Sequence, residues 1–318
     1  MTPINKILAG VLALQVVLAA ITWIPRGGDA SEPVQFVSSD TDSITRITIV
    51  GRTSPEEEAE PDQVTLTRSD GGWAIEDLGG YPADTTKVDE LFENLTALVG
   101  RSPTGTTPAS HYPLQVADDA FTRKVTLMAG DEEQTLYLGA ASGSGMHVRE
   151  ASNDEVFTTR GVSAWSIADQ NRRYYDTKYL EHGADDIDSF RVRNAQGDHT
   201  FIRVDGEWQI EGTEGSAGLE ISEVASLVRT LMNVRIHEPV SKEIEPQHGL
   251  DGRVRVEWSV TENETTTPHG YTVGAEASDG KRYVQADGNE WVIEVLNSTV
   301  TRAIETDFAF LGESSDGE

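Results

Sequence analysis

The stretch Gly71-Gly72-Trp73-Ala74-Ile75-Glu76 occurs a second time as Gly206-Glu207-Trp208-Gln209-Ile210-Glu211. Trp73 and Trp208 are 135 positions apart, and the residues downstream of each also repeat at nearly the same offset. Val88, Leu91, Leu95 and Leu98 recur as Val224, Leu227, Leu231 and Val234. His111-Tyr112-Pro113-Leu114 recurs loosely as Gln247-His248-Gly249-Leu250, and Leu136-Tyr137-Leu138-Gly139-Ala140 as Gly270-Tyr271-Thr272-Val273-Gly274-Ala275. Four features in one order at a near-constant spacing read as two copies of one module.

Within each copy the short apolar runs alternate with turn residues, which is strand patterning. Expected strands in the first copy are 44–50, 64–68, 73–76, 124–128, 135–138, 146–149 and 156–159. Those in the second are 189–193, 200–204, 207–211, 253–260, 270–273, 282–285 and 290–295. Asp84 to Val99 reads as a helix, with Thr86 as cap, Asp89 three residues on, and a 3-4-3 apolar stripe. A helix from about Glu223 to Val234, capped by Ser222, is its counterpart. Further helices are expected from Ser163 to about Gln170 and from Ser298 to about Thr306. The fold class is therefore α+β: two tandem strand-rich antiparallel modules with two helices each, after one N-terminal transmembrane helix. The boundaries are 1–26 for a membrane anchor, 27–43 for a polar linker, 44–182 and 183–311 for the modules, and 312–318 for an acidic tail.

The anchor rests on Ile7 to Ile24, an apolar run that nearly spans a hydrocarbon core at 1.5 Å rise per residue. Lys6 precedes it, and Trp23 sits where an interfacial aromatic belongs. This implies a single-pass protein of the inner (cytoplasmic) membrane, N-terminus in the cytoplasm and the bulk of the chain outside. The alternative is a cleaved signal peptide and a secreted protein; Leu18-Ala19-Ala20 is the best cleavage site and lacks a small first residue.

Against 54 acidic residues stand 25 basic ones, a net charge of −29. Such a field repels nucleic acid and anionic headgroups. With no cysteine in 318 residues, disulfides and thiolate metal sites are excluded. The carboxylates of the Arg52–Asp62 loop lack calcium-loop spacing. The seven histidines contain no i, i+4 pair, and His111 and His248 read as turn-capping or packing residues. No Gly-x-Ser-x-Gly occurs, and Gly143-Ser144-Gly145 reads as a tight hairpin. The residues thus indicate no catalytic group, cofactor, metal or small-molecule ligand. Trp73 and Trp208 read as core anchors over sugar platforms, with Trp165, Trp258 and Trp291 as packing residues.

Arg172-Arg173-Tyr174-Tyr175-Asp176-Thr177-Lys178-Tyr179-Leu180 joins the modules and is the most basic and aromatic stretch of the chain. It has two readings. One is a connector whose tyrosines pack between the modules. The other is a partner-docking patch formed by Arg172, Arg173, Tyr174, Tyr175, Lys178 and Tyr179, since Arg and Tyr are enriched at interfaces.

The lone anchor, the Gly-x-Trp-x-Ile strand, the following helix and the Gly-Leu element, all repeated, resemble the bacterial envelope proteins of domain of unknown function 4340. His111 to Leu114 departs from that family's Tyr-Gly-Leu form, with Pro113 in place of glycine. The resemblance implies a non-catalytic accessory subunit of a gliding-motility-type ABC transporter, with a permease complex as partner and no known active site. The competing expectation is an envelope glycan- or peptide-binding module or hydrolase, which requires a deep pocket with convergent polar groups.

Overall fold

The computed structural model describes residues 32–38, 40–52, 60–212, 221–278 and 280–307. The apolar run at 7–24, residues 53–59 of the acidic loop, and the acidic tail at 312–318 lie outside the described residues. Among the described residues, no helix is long and apolar enough to cross a membrane.

In chain order the first half contains β1 (Val34–Gln35), β2 (Arg46–Val50), β3 (Gln63–Ser69), β4 (Gly72–Ile75), β5 (Tyr81–Pro82) and α1 (Thr85–Thr96). After these come β6 (Val99–Gly100), β7 (Pro103–Gly105), β8 (Arg123–Ala129), β9 (Glu132–Ser142), β10 (Gly145–Glu150) and β11 (Val156–Thr158). The second half contains β12 (Ser189–Asn194), β13 (Gly197–Val204), β14 (Glu207–Ile210), α2 (Ile221–Leu231) and β15 (Glu238–Ser241). It ends with β16 (Val254–Glu262), β17 (Thr265–Glu276), β18 (Lys281–Ala286), β19 (Val292–Leu296) and α3 (Asn297–Glu305). One sheet runs β5-β4-β3-β2-β8-β9-β10-β11-β7 and the other β14-β13-β12-β16-β17-β18-β19-β15. Their pairings are antiparallel throughout. The fold is α+β with strand-rich antiparallel sheets and few helices.

The Gly-x-Trp-x-Ile-Glu stretch is a hairpin in both places. Asp205 and Gly206 form the two-residue turn from β13 to β14, both left-handed with φ of 50° and 88°. That is the geometry an Asp-Gly pair favours between twisted strands. Asp70-Gly71 occupies the corresponding turn between β3 and β4. Each turn delivers its tryptophan opposite an arginine of the preceding strand. Trp73 pairs with Arg68 and Trp208 with Arg203, the guanidinium lying 5.0 Å and 4.7 Å from the ring centroid. Trp208 is buried against Phe190, whereas Trp73 is half-buried beside Phe92.

A second constraint concerns Gly139 in β9 and Gly274 in β17. The loop carrying His111–Val116 crosses so close to Gly139 that a Cβ there would strike the Leu114 carbonyl and Val116. At Gly274 a Cβ would strike the His248 carbonyl and Leu250. Glycine at these two points lets each loop pass flat over its longest strand.

Several expectations are corrected. The segment from Ser163 is one 3-10 turn, Ala164–Ser166, and Ile167 is extended at φ −105° and ψ 92°. Its core-facing residues, Ala164, Ile167 and the partly buried Ala168, keep helical spacing for one turn only, too short a run to hold a helix. "Two helices each" therefore fails: among the described residues α1 stands alone in the first half, and α2 and α3 belong to the second. Asp84, not Thr86, caps α1, its carboxylate accepting from the Thr86 N–H at 2.8 Å. Ser222 lies inside α2. Leu98, the last residue of the first stripe, is fully buried although it lies beyond the end of α1. The Pro/Gly/Thr-rich connection at 101–110 contains the edge strand β7. Part of the expected linker is folded: β1 pairs with β6, and Phe36 packs on Phe157 at 5.6 Å.

One hydrophobic cluster runs through both halves, from Ile47 and Leu66 through Tyr175 and Tyr179 to Val256 and Val295.

Gly139→Ala and Gly274→Ala are each expected to destabilise the protein by about 1–3 kcal/mol through overpacking. Gly71→Ala, with nothing within 4 Å of its added Cβ, should be close to neutral. Urea unfolding midpoints of the three variants check this.

Candidate functional site

The joining segment is built into the core rather than laid on it. Tyr174 donates from its hydroxyl to the Ala168 carbonyl at 2.8 Å, and its own carbonyl accepts from the Asp84 N–H at 2.7 Å, at the start of α1. Tyr175 donates to the His237 carbonyl at 2.9 Å and meets Tyr81 edge-on at 5.5 Å. Thr177 accepts from Ile236 N–H, Tyr179 donates from its backbone to Val234 O, and Lys178 bridges to Arg235. The Tyr179 hydroxyl accepts from the Ala286 N–H at 3.0 Å and donates to the Trp291 carbonyl at 2.9 Å. Burial removes these phenols from water and raises their pKa. Tyr175 is pushed up to about 12, and Tyr174 and Tyr179 go higher still.

Of the six residues considered for docking, Tyr174, Tyr175 and Tyr179 are therefore buried. Arg172, Arg173 and Lys178 are exposed. The structure brings an unforeseen residue beside Arg173. Trp165, expected to pack, is 69% exposed. Its ring lies on the buried Arg123, whose guanidinium is 4.9 Å from the ring centroid and pairs with Asp169 at 3.2 Å. Trp165, Arg173, Arg52, Asp62 and Gln170 line a hollow of about 420 Å³. An indole held on a fixed cation and open to solvent is a rigid anchor of the type that concentrates binding energy at interfaces.

A larger cleft, about 780 Å³, opens where the two halves meet. Tyr81 and Pro82 of β5 form one side. Tyr179 and His182 of the joining segment, and Trp258, His269, Asp287 and Trp291 of the second half, form the rest. Tyr81 meets Trp291 edge-on at 5.1 Å, and His269 stacks on Trp258 at 5.7 Å and meets His182 at a tilt at 4.5 Å. Three lining residues each carry a solvent-closed side-chain atom with no hydrogen-bond partner: Trp258 Nε1, Trp291 Nε1 and His182 Nδ1. An indole N–H can only donate, and leaving one buried and unbonded costs about 1–3 kcal/mol.

Sequence reasoning missed the cleft because its residues come from positions 81 to 291 and none belongs to a local motif. Trp258 and Trp291 do pack, as expected, yet their nitrogens are the signal. His111 and His248 hold turns as expected. His111 Nε2 lies 3.0 Å from the Asp154 carbonyl, and His248 Nδ1 accepts from the Glu245 N–H at 3.0 Å. Trp73 and Trp208 pack against the core. Among the described residues no group of three His, Cys, Asp or Glu side chains converges on a point that could hold a metal ion.

A family model described as "Domain of unknown function (DUF4340)" matches residues 73–252. No curated protein and no solved structure matches the chain.

The raised phenols set a pH dependence. Between about pH 10 and about 12 the unfolded chain has lost protons that the folded chain retains, so the unfolded state is favoured there. The phenols' contribution to stability is complete below pH 10 and falls as pH climbs toward 12. A plot of melting temperature against pH should drop through this window, and the share of the tyrosinate absorbance due to Tyr174, Tyr175 and Tyr179 should appear only as the circular dichroism signal is lost. Titration of Tyr174, Tyr175 and Tyr179 near pH 10 in the folded protein would contradict the burial assigned to them.

Proposed function

The chain belongs to the DUF4340 family, whose model covers more than half of it, and on that footing we propose that it is a membrane-tethered, extracytoplasmic accessory subunit of an ABC-type transporter. Residues 7–24 form the tether in the inner membrane, with the N-terminus in the cytoplasm. Residues 44–182 and 183–311 are two copies of one module. Three things support the two-copy reading. The run β4-β3-β2-β8-β9-β10-β11-β7 has the same succession of connections as β14-β13-β12-β16-β17-β18-β19-β15. The Arg-over-Trp pairs fall at corresponding hairpins. The crowded glycines fall in corresponding strands.

The observation that carries the docking role is Trp165, exposed on its arginine and sharing a hollow with Arg173. In a chain of net charge −29 the hollow sets Arg52, Arg123 and Arg173 against Asp62 and Asp169 around an aromatic anchor, a local cationic excess. It suits a partner surface bearing carboxylates. The joining segment ties the halves through main-chain and phenolic hydrogen bonds, which suits a rigid scaffold. A second reading, an envelope glycan- or peptide-binding module, has the inter-half cleft in its favour.

Pull-down of the tagged full-length protein from its host in mild detergent should recover a permease and an ATPase. Trp165→Ala should weaken that association by about 2 kcal/mol, roughly 30-fold, with an unchanged melting temperature. A chain starting at Ser31 should lose any contact made by the tether. Recovery of the full-length protein alone would count against the accessory-subunit reading. Mass spectrometry finding Met1–Arg26 absent from the mature chain would remove the tether.

A further inference from the structure

We propose that the cleft between the two halves is a binding site for an uncharged saccharide. The cleft carries this by itself, whether or not the transporter partnership holds, and it narrows the glycan-or-peptide reading to one ligand class.

The cleft volume, about 780 Å³, lies in the range of small-molecule sites, and both halves and the joining segment contribute walls. Its polar inventory is unusual for packing. Trp258 and Trp291 are 5% and 4% exposed, and neither indole N–H has an acceptor. With His182 Nδ1 they make three of the five buried side-chain atoms without a partner among the described residues. A lining that holds two unused indole donors is suited to a ligand rich in acceptor oxygens. Hydroxyl groups meet this need and also donate in return, and the carboxylates of Asp287 and Glu290 line the same cleft as acceptors.

Charge disfavours ionic ligands in part. Of the three carboxylates lining the cleft, Asp287 already holds Arg255 and Glu290 already holds Lys242 at 2.6 Å, so Glu181 alone brings no such pairing. An anionic glycan meets the net charge of −29. Apolar C–H faces of a sugar ring find Tyr81, Pro82, Pro268 and His269.

Main-chain geometry decides against a peptide. A peptide binds most readily by extending a strand edge. Of the strands bordering the cleft, two have an unpaired edge there. β5 is two residues long and ends in Pro82, and β17 before Tyr271 has β16 on one side only but carries Pro268. Proline has no N–H to donate to an added strand. Recognition here falls to side chains, which suits a saccharide. The two indole nitrogens are closed to solvent in the free protein, so binding includes a small rim adjustment of a kind common at binding sites.

Calorimetric titration of the full chain in a non-glycosidic detergent tests this. The probes are neutral gluco-, galacto- and manno-oligosaccharides, with an anionic oligosaccharide and a mixed peptide set alongside. A neutral saccharide should bind with saturation. Trp258→Phe, which removes the N–H and keeps an aromatic ring, should lower its affinity tenfold or more. Asp287→Asn, at the rim, should do the same and provides the readout if the tryptophan variant fails to fold. Trp165→Ala should leave binding unchanged, which separates this site from the docking face. Absence of binding by every neutral saccharide would overturn the proposal. So would preference for the peptides or the anionic sugar, or affinity unaltered by either cleft variant.

Discussion

The structure depends on the hydroxyl of Tyr179. It accepts a hydrogen bond from the Ala286 backbone and donates one to the Trp291 carbonyl, while the residue's own N–H is bonded to Val234. A single side chain thus pins the segment between the halves to the β18–β19 connection and to the end of the α2 region. Removing it would leave a buried N–H and a buried carbonyl without partners, which is costly in a dry interior. The joining segment consequently has no freedom to act as a hinge. Tyr174 secures the other end by receiving the Asp84 N–H beside the first turn of α1. The cleft inherits its shape from this arrangement, since Tyr179 and Trp291 are both part of its wall.

A second layer of constraint repeats in each half and works through proximity. A loop lies on a long strand at a point where only glycine fits, and an arginine lies on a tryptophan beside a two-residue turn. Neither device requires a ligand. Together they fix the strand register, because displacing β9 or β17 by one residue would put a side chain under the crossing loop.

These repeating devices are what the sequence makes legible. Trp73 and Trp208, the Val88 and Val224 stripes, and Gly139 and Gly274 are each set by local spacing, so period and turn chemistry suffice to find them. Strand ends are hidden where a strand continues past its apolar run: β9 extends to Ser142 and β17 begins at Thr265. Among the strands of four residues or fewer, β1, β5, β6, β7 and β15 show no period, whereas β4, β11 and β14 are marked by the turns beside them. Trp165 is deceptive because an aromatic beside Ala164 and Ile167 has the composition of a packed turn. Only the placement of Arg123 beneath its ring turns it outward. The cleft has no local signature at all. Its donors are recognisable only from what fails to lie opposite them, and that is a property of the assembled fold.

The single core that passes through both halves separates two kinds of boundary. The stretch shared with the family, 73–252, begins inside β4 and ends just before β16. It omits β2 and β3, which lie between β4 and β8 in the first sheet, and β16 to β19, which make half of the second. A recombinant piece cut to those limits would present β4 and β12 with missing neighbours and expose the faces that Ile47, Leu66 and Val256 cover. The segment by which the protein is recognised is thus smaller than the segment that can hold itself together, and expression boundaries belong outside β1 and α3.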